Sequence, residues 1–416
     1  MATKTVADIN VAGKTVLVRV DFNVPLKDGK VANDRRIVQA LPTIQKLLSG
    51  GAKVILMSHL GRPDGKYEPD GSLAPVVERL RQLVKAPVKL GPKEVIGPEA
   101  EKMAAALKPG EILVLENVRF HPGETMPDKA KKNPDKKLTP EQQKTHDDFV
   151  AGLAKLGDAY VNDAFGTCHR KHASMYGLAK AIQAKGGPAV AGFLVEKEIR
   201  YLHEAVANPK RPFVAILGGA KVSDKIKLIA TLLDKVDNIL IGGAMAYTLL
   251  AAKGVRIGKS RLEADQVEEM KALLAKAGGK IVLPVDHVGA DNFETGKPVA
   301  VPEVNIPDNL MGMDIGPKTI ALFSGIIAKA GTVVWNGPMG VFERPDYAKG
   351  TRAVAEAVAK ATSAGAVSVI GGGDSAAAVE EMGLADKMTH ISTGGGASLE
   401  YLEGKAMPPL EVLDKK

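Results

Sequence analysis

Val367-Ser368-Val369-Ile370-Gly371-Gly372-Gly373-Asp374-Ser375 joins a short β-branched run to three glycines, an acid and a hydroxyl. Runs of this kind fit a strand buried on both faces, and the glycines let the chain turn into a helical pattern. Leu217-Gly218-Gly219-Ala220-Lys221 and Ile241-Gly242-Gly243 repeat the arrangement in the same half of the chain. Such turns suit a polyphosphate, because bare N–H groups at a helix start approach it closely.

Working outward, further strand candidates cover residues 15–22, 53–58, 112–116 and 159–162 in the first half. In the second half they cover 213–217, 238–241, 281–285, 332–335 and 367–370. Helix-compatible stretches lie between them, among them 73–83, 225–233 and 264–277. Strands alternating with helices imply βαβ units, largely parallel sheets and the α/β class. At 416 residues, two domains are the expectation. The division is placed after Gly186-Gly187-Pro188, where a helical pattern follows and Asn208-Pro209-Lys210-Arg211-Pro212 punctuates its end. This gives an N-terminal domain 1–190, an interdomain helix 191–207 and a C-terminal domain 208–404.

Composition narrows the function. Aromatic residues are only 4% of the chain, which argues against base-stacking surfaces for single-stranded nucleic acid. The net charge of +8 is dispersed. Its densest group, 129–144, reads as a solvated surface insertion. One cysteine, Cys168, precludes an intrachain disulfide framework. No apolar leader or span is apparent, so the expected location is cytoplasmic, without a membrane partner. Gly13-Lys14-Thr15 lacks the earlier glycine of a phosphate-binding P-loop, no dinucleotide fingerprint is present, and no Cys or paired His has metal-cage spacing.

The first half instead spreads single cations over strand ends: Arg36, His59, Arg62, Arg119, His169 and Arg170. One such arginine is ordinarily a surface ion-pair partner. Recurrence after successive parallel strands should bring them to one edge, where guanidinium forks match a small phosphate- and carboxylate-bearing molecule. Asp21-Phe22-Asn23 closes the first strand and either binds substrate hydroxyls or simply turns the chain. Lys221 and Lys225 share a helix face if the helix begins early, and either flank a phosphoryl path or are solvated. Asp374 either caps a helix or holds Mg²⁺. Cys168 beside His169 has no third orienting group and reads as a bystander.

Together the motifs resemble one family, phosphoglycerate kinase. They are Arg19-Val20-Asp21-Phe22-Asn23-Val24-Pro25, Ser58-His59-Leu60-Gly61-Arg62-Pro63, Glu116-Asn117-Val118-Arg119-Phe120 and Asn162-Asp163-Ala164-Phe165-Gly166-Thr167. Gly218-Gly219-Ala220-Lys221-Val222, Trp335-Asn336-Gly337-Pro338-Met339-Gly340-Val341-Phe342-Glu343, Gly371-Gly372-Gly373-Asp374-Ser375 and Ser392-Thr393-Gly394-Gly395-Gly396-Ala397 complete the series.

The resemblance implies two Rossmann-like domains with helix-flanked parallel sheets, joined by an interdomain helix, with the tail 405–416 packed back on the first domain. It implies reversible, Mg²⁺-dependent phosphoryl transfer between 1,3-bisphosphoglycerate and ADP in glycolysis, by a monomer without a nucleic-acid partner. Asp21, Phe22, Asn23, Arg36, His59, Leu60, Gly61, Arg62, Arg119 and Arg170 are the implied 3-phosphoglycerate site. Lys225, Gly312, Glu343, Gly372, Gly373, Asp374 and Ser375 are the implied nucleotide site, with Asp374 towards the metal. Arg36, Lys221, Lys225, Gly373 and Gly396 are the expected catalytic set. The lysine- and proline-rich insertion between Gly123 and Phe149 is expected to be a surface loop of little chemical consequence. Two other classes fit parts of the sequence: a basic α/β carrier of RNA or an acidic partner, and a different nucleotide-dependent kinase of small acids.

Overall fold

The computed structural model describes residues 2–416. In the first half, Thr15–Val20 (β1), Lys53–Met57 (β2), Val88–Leu90 (β3), Ile112–Val114 (β4), Ala159–Asp163 (β5) and Ala189–Ala191 (β6) form one sheet. Its order is β3-β4-β2-β1-β5-β6 and every pairing is parallel. Val16, Leu17, Val18 and Val20 have no exposed surface, as expected of a central strand covered on both faces. One cover is the helix Arg35–Ser49, which buries Ile37, Ala40, Ile44 and Leu47 at helical spacing.

The second half builds Phe213–Leu217 (β7), Asn238–Ile241 (β8), Ile281–Val282 (β9), Thr332–Asn336 (β10), Val367–Gly371 (β11) and His390–Ile391 (β12). Their order is β9-β8-β7-β10-β11-β12, again entirely parallel. This is the doubly wound arrangement, with the direction of winding reversing between β7 and β10. Ligands of such sheets bind beyond the carboxyl ends at that reversal.

Several elements differ from the sequence reading. β1 stops at Val20 rather than residue 22, because its last partners are Met57, opposite Arg19, and Asp163, opposite Val20. Asp21-Phe22-Asn23 therefore leaves the ladder. β9 is an edge strand with two paired residues, and Val285 beyond it is 40% exposed. A small antiparallel sheet of Val299–Val301, His287–Ala290 and Met311–Ile315 was not expected.

The insertion is not simply a loop. It contains a short helix, Met126–Lys129, and the helix Pro140–Ala154. The second begins with a capping box in which Thr139 and Gln142 satisfy each other's backbone N–H groups. Phe149, Leu153 and Ala154 anchor it in the core, while Lys131, Lys132, Lys136 and Lys137 remain on the surface side.

The chain divides into two compact units, residues up to Ile199 with Ala406–Lys416, and Arg200–Lys405. The tail joins the first unit through the Asp414 N–H to the Ala189 carbonyl and the Lys4 N–H to the Asp414 carbonyl, both 2.8 Å. The helix Phe193–Ala207 runs across the division. Its start is held by buried Asp163, whose Oδ1 accepts from the N–H of Leu194 at 2.9 Å, and by Thr43, which accepts from that of Phe193 at 2.8 Å. Among the described residues, no helix is long and apolar enough to cross a membrane.

Candidate functional site

In the first unit the parallel strands bring their carboxyl ends to one edge, and six of the sequence-selected residues are joined there. Arg36, on the first turn of its helix, donates to Asp21 Oδ2 and to the Asn23 carbonyl, each at 3.1 Å. Asn23 Oδ1 accepts from the Gly61 N–H at 2.9 Å, and Arg119 donates to the Gly61 carbonyl at 2.8 Å. Gly61 has φ +65°, a left-handed conformation that lets the loop double back between these groups. His59 Nδ1 lies 4.0 Å from Asp21 Oδ1. Arg62 follows on the exposed side of the same loop.

Phe22 and Leu60 are buried in the core, so only their backbone can face a ligand. Even that is engaged: the Phe22 N–H donates to Ser58 Oγ at 2.8 Å, and Asn117 donates to the Leu60 carbonyl at 2.7 Å.

The sequence reading quoted Arg19 but gave it no role. It is fully buried, donates to Ser174 Oγ at 2.8 Å, and lies 3.2 Å from His59 Nδ1. Burial, then the charges of Arg19, Arg119 and Arg36, push the His59 pKa well below its ordinary value. A neutral His59 accepts at Nδ1 and keeps Nε2–H as a donor. Arg119 likewise has a lowered pKa, from burial first and then from Arg19. Its Nε is buried without a partner. An assembly of guanidiniums that repel one another, one holding an unsatisfied donor, is suited to an anion.

Arg170 stands differently. Its NH1 donates to Asp128 at 2.8 Å and its Nε to His169 at 3.0 Å.

In the second unit, glycine turns line two adjoining cavities. One, about 490 Å³, is lined by Ala220, Tyr247, Gly312, Met313, Pro338 and Val341, together with Arg261, Glu343 and Asp374. The other, about 340 Å³, is lined by Lys221, Lys225, Asn336, Gly372, Gly373, Asp374, Ser375, Gly395 and Gly396. They share Gly219, Ala220 and Asp374. An apolar chamber continuous with an amide- and ammonium-lined one matches a nucleoside followed by its phosphates. Gly312 must be glycine, since a Cβ there would lie 2.0 Å from the Tyr247 hydroxyl.

Lys225 is buried, donating to the Gly218 carbonyl and, at 3.1 Å, to that of Asn336. Burial lowers its pKa to about 8 against the opposing charges of Asp374 and Asp224. Lys225 precedes the helix Ile226–Leu233 and Lys221 lies in the turn before it, so the two do not share a helix face. The cavity unites them nevertheless. Ser375 Oγ accepts from the Gly337 N–H, tying the turn after β10 to the helix Gly373–Glu381. That helix is capped by Gly372, so Asp374 is not its cap.

Asn336 was quoted but not selected. Its buried Nδ2 has no partner, and Asn336 lines the polar cavity. Its only sequence signal was an amide closing a strand.

Among the described residues, no three His, Cys, Asp or Glu converge on a metal-sized site. Two exposed carboxylates, Asp374 and Asp224, line the polar cavity, which fits Mg²⁺ brought in on a nucleotide, an ion that keeps several waters and binds one or two carboxylates with substrate phosphates.

The phosphoglycerate kinase family profile matches residues 6–405. The phosphoglycerate kinases of Lactobacillus gasseri and Clostridium novyi are 53% and 51% identical, covering 100% and 99% of both chains. The solved phosphoglycerate kinase of Coxiella burnetii, 40% identical, superposes with a TM-score of 0.82 over 99% of this chain and 98% of that one. That of Pyrococcus horikoshii, 34% identical, gives 0.82 over the same shares. A chain matched along its whole length, with the fold and the phosphate-directed chemistry described above, belongs to the phosphoglycerate kinase family and is a phosphotransferase with a carboxyl acceptor.

Proposed function

We propose that this phosphoglycerate kinase holds 3-phosphoglycerate on its first unit and the magnesium nucleotide on its second, and passes the phosphoryl group directly between them. The reaction is the glycolytic one, reversible transfer from 1,3-bisphosphoglycerate to ADP. The observation that carries the division of labour is the unlike chemistry of the two strand edges: clustered guanidiniums on one, adjoining apolar and amide-lined chambers on the other.

Asp21 and Asn23 hold the hydroxyl and backbone groups of the acid, and Arg62, Arg119 and Arg170 its charged ends. His59 Nε2–H adds a neutral donor. Glu343 binds the ribose hydroxyls, Gly312 flanks the base, and Lys225, Ser375, Asn336 and the N–H groups of Gly372 and Gly373 hold the phosphates. Asp374 would hold Mg²⁺ carried in on the nucleotide, and the ion would supply neutralisation of phosphate charge there.

A phosphate oxygen of ADP is a competent nucleophile towards an acyl phosphate, so no side-chain base or phosphoenzyme is required. What this chain supplies is positioning and charge. Arg36, Lys221, Lys225 and the N–H groups of Gly373 and Gly396 balance the negative charge of the group in transit. The protein works as a cytoplasmic monomer on small molecules alone, without nucleic acid or membrane.

Arg119→Ala and Glu343→Ala test the assignment in a coupled assay. The first should raise KM for 3-phosphoglycerate and the second KM for ATP, each by about tenfold, with the other KM within about twofold. Equal effects of either variant on both substrates would overturn the division.

A further inference from the structure

The insertion was expected to be chemically silent, yet its first helix places Asp128 against a residue of the substrate edge. Asp128 Oδ2 accepts from Arg170 NH1 and from His172 Nε2, both at 2.8 Å. The same oxygen thus binds an exposed guanidinium and a buried imidazole, since Arg170 is 42% exposed and His172 only 1%.

The other side of His172 faces buried Glu124, with Nδ1 3.9 Å from Oε1. Glu124 is fixed in turn by the N–H and hydroxyl of Ser174, at 2.9 and 2.7 Å. Ser174 Oγ also receives the Nε of Arg19. Burial would raise the Asp128 pKa, but the hydrogen bond and charge of His172, with those of Arg170, hold it far below the usual carboxylate range. Asp128 is therefore an anion wedged between two donors, with its position set by the buried one.

We propose that Asp128 is a positioning residue for the substrate: it locks Arg170 so that the remaining guanidinium edge is presented to an anionic group of 3-phosphoglycerate. With Nε committed to His169 and one NH1 hydrogen to Asp128, the two NH2 hydrogens and the second NH1 hydrogen are left for a ligand. An arginine held at two points loses less rotational freedom on binding than one that samples solvent. The proposal rests on the assignment of Arg170 to the substrate site.

The test measures KM and kcat for both substrates in Asp128→Ala, Asp128→Asn, Arg170→Ala and the double variant Asp128→Ala/Arg170→Ala, with thermal midpoints alongside. Asp128→Ala should raise KM for 3-phosphoglycerate about tenfold, leaving kcat and KM for ATP within about twofold. Asparagine retains an acceptor oxygen for both donors and should recover most of the loss. The double variant should be no worse than Arg170→Ala alone, because both changes remove one interaction.

A normal KM in Asp128→Ala, beside a raised KM in Arg170→Ala, would overturn the proposal and leave the substrate site standing. So would additive losses in the double variant. A normal KM in Arg170→Ala would overturn both. Should the alanine variant fold poorly, Asp128→Asn supplies the reading through the Arg170 Nε–H resonance. That signal stays dispersed if asparagine holds the guanidinium, and collapse to the free-arginine position contradicts the proposal.

Discussion

The proposed role of Lys225 in holding the nucleotide phosphates predicts proton uptake on nucleotide binding at mildly alkaline pH. The residue is 8% exposed and burial brings its pKa from 10.5 to about 8. That difference corresponds to roughly 3 kcal/mol of disfavoured charge in the free protein. Nucleotide phosphates in the adjoining cavity restore the charged form and return the pKa towards its ordinary value. Proton uptake on binding should then be about 0.1 at pH 7, about 0.5 at pH 8 and about 0.9 at pH 9. The sign follows: the pKa is higher in the complex, so affinity is full below pH 8. Above that it falls by up to about tenfold per pH unit as the free lysine loses its proton. Isothermal titration of Mg-ADP in two buffers of different ionisation enthalpy, at pH 7 and 8.5, measures the uptake. Lys225→Met should abolish it and weaken binding at both pH values. Uptake near zero at pH 8.5 in the unaltered protein, or uptake that survives in Lys225→Met, would refute the reasoning.

Arg36→Ala should lower kcat by about 10³-fold or more while the protein stays folded, because Arg36 is partly exposed and its loss leaves Asp21 beside His59. Near-normal turnover would remove it from the catalytic set. Asp163 is fully buried, its Oδ2 lacks a partner, and burial raises its pKa to about 7. The folded state thus keeps a proton that the unfolded chain gives up from about pH 4, so stability falls as pH rises from about 4 to 7, by at most about 4 kcal/mol. Asp163→Asn should remove that slope, and urea midpoints of both proteins at pH 4.5 and 8 check it, a pH-independent difference counting against it. Cys168 is buried between Asn162 and the Ala164 carbonyl, and burial pushes its pKa up. Cys168→Ser should keep activity within about twofold and cost on the order of 1 kcal/mol of stability. Inactivation would reopen a chemical role for the thiol.

The sheets were legible because buried parallel strands need apolar runs, and few other structures use runs as short as Phe213–Leu217 or Asn238–Ile241. Their ends were less so. Where β1 stops depends on how far β2 and β5 extend beside it, which no property of Asp21 or Phe22 reveals. Met311–Ile315, with Gly312 and Asp314 among its five residues, has no strand pattern of its own and is shaped by its neighbours. The cations at strand ends were visible as types in a rhythm. Arg19 had no assigned role because an arginine inside an apolar run declares neither its burial nor its partner. Asp128 was hidden by composition, since a lysine-rich stretch reads as solvated until one carboxylate in it is seen facing Arg170. Lys221 and Lys225 line one cavity, and the turn before the helix brings them there, since the helix begins too late for them to share a face.

The stereochemical course at phosphorus tests the central claim most directly. With ATP made chiral by three oxygen isotopes at the γ-phosphoryl group and 3-phosphoglycerate as acceptor, direct in-line transfer gives a single displacement. The account predicts complete inversion of configuration in the 1,3-bisphosphoglycerate formed. Retention would mean two displacements through a phosphorylated side chain, and would contradict it.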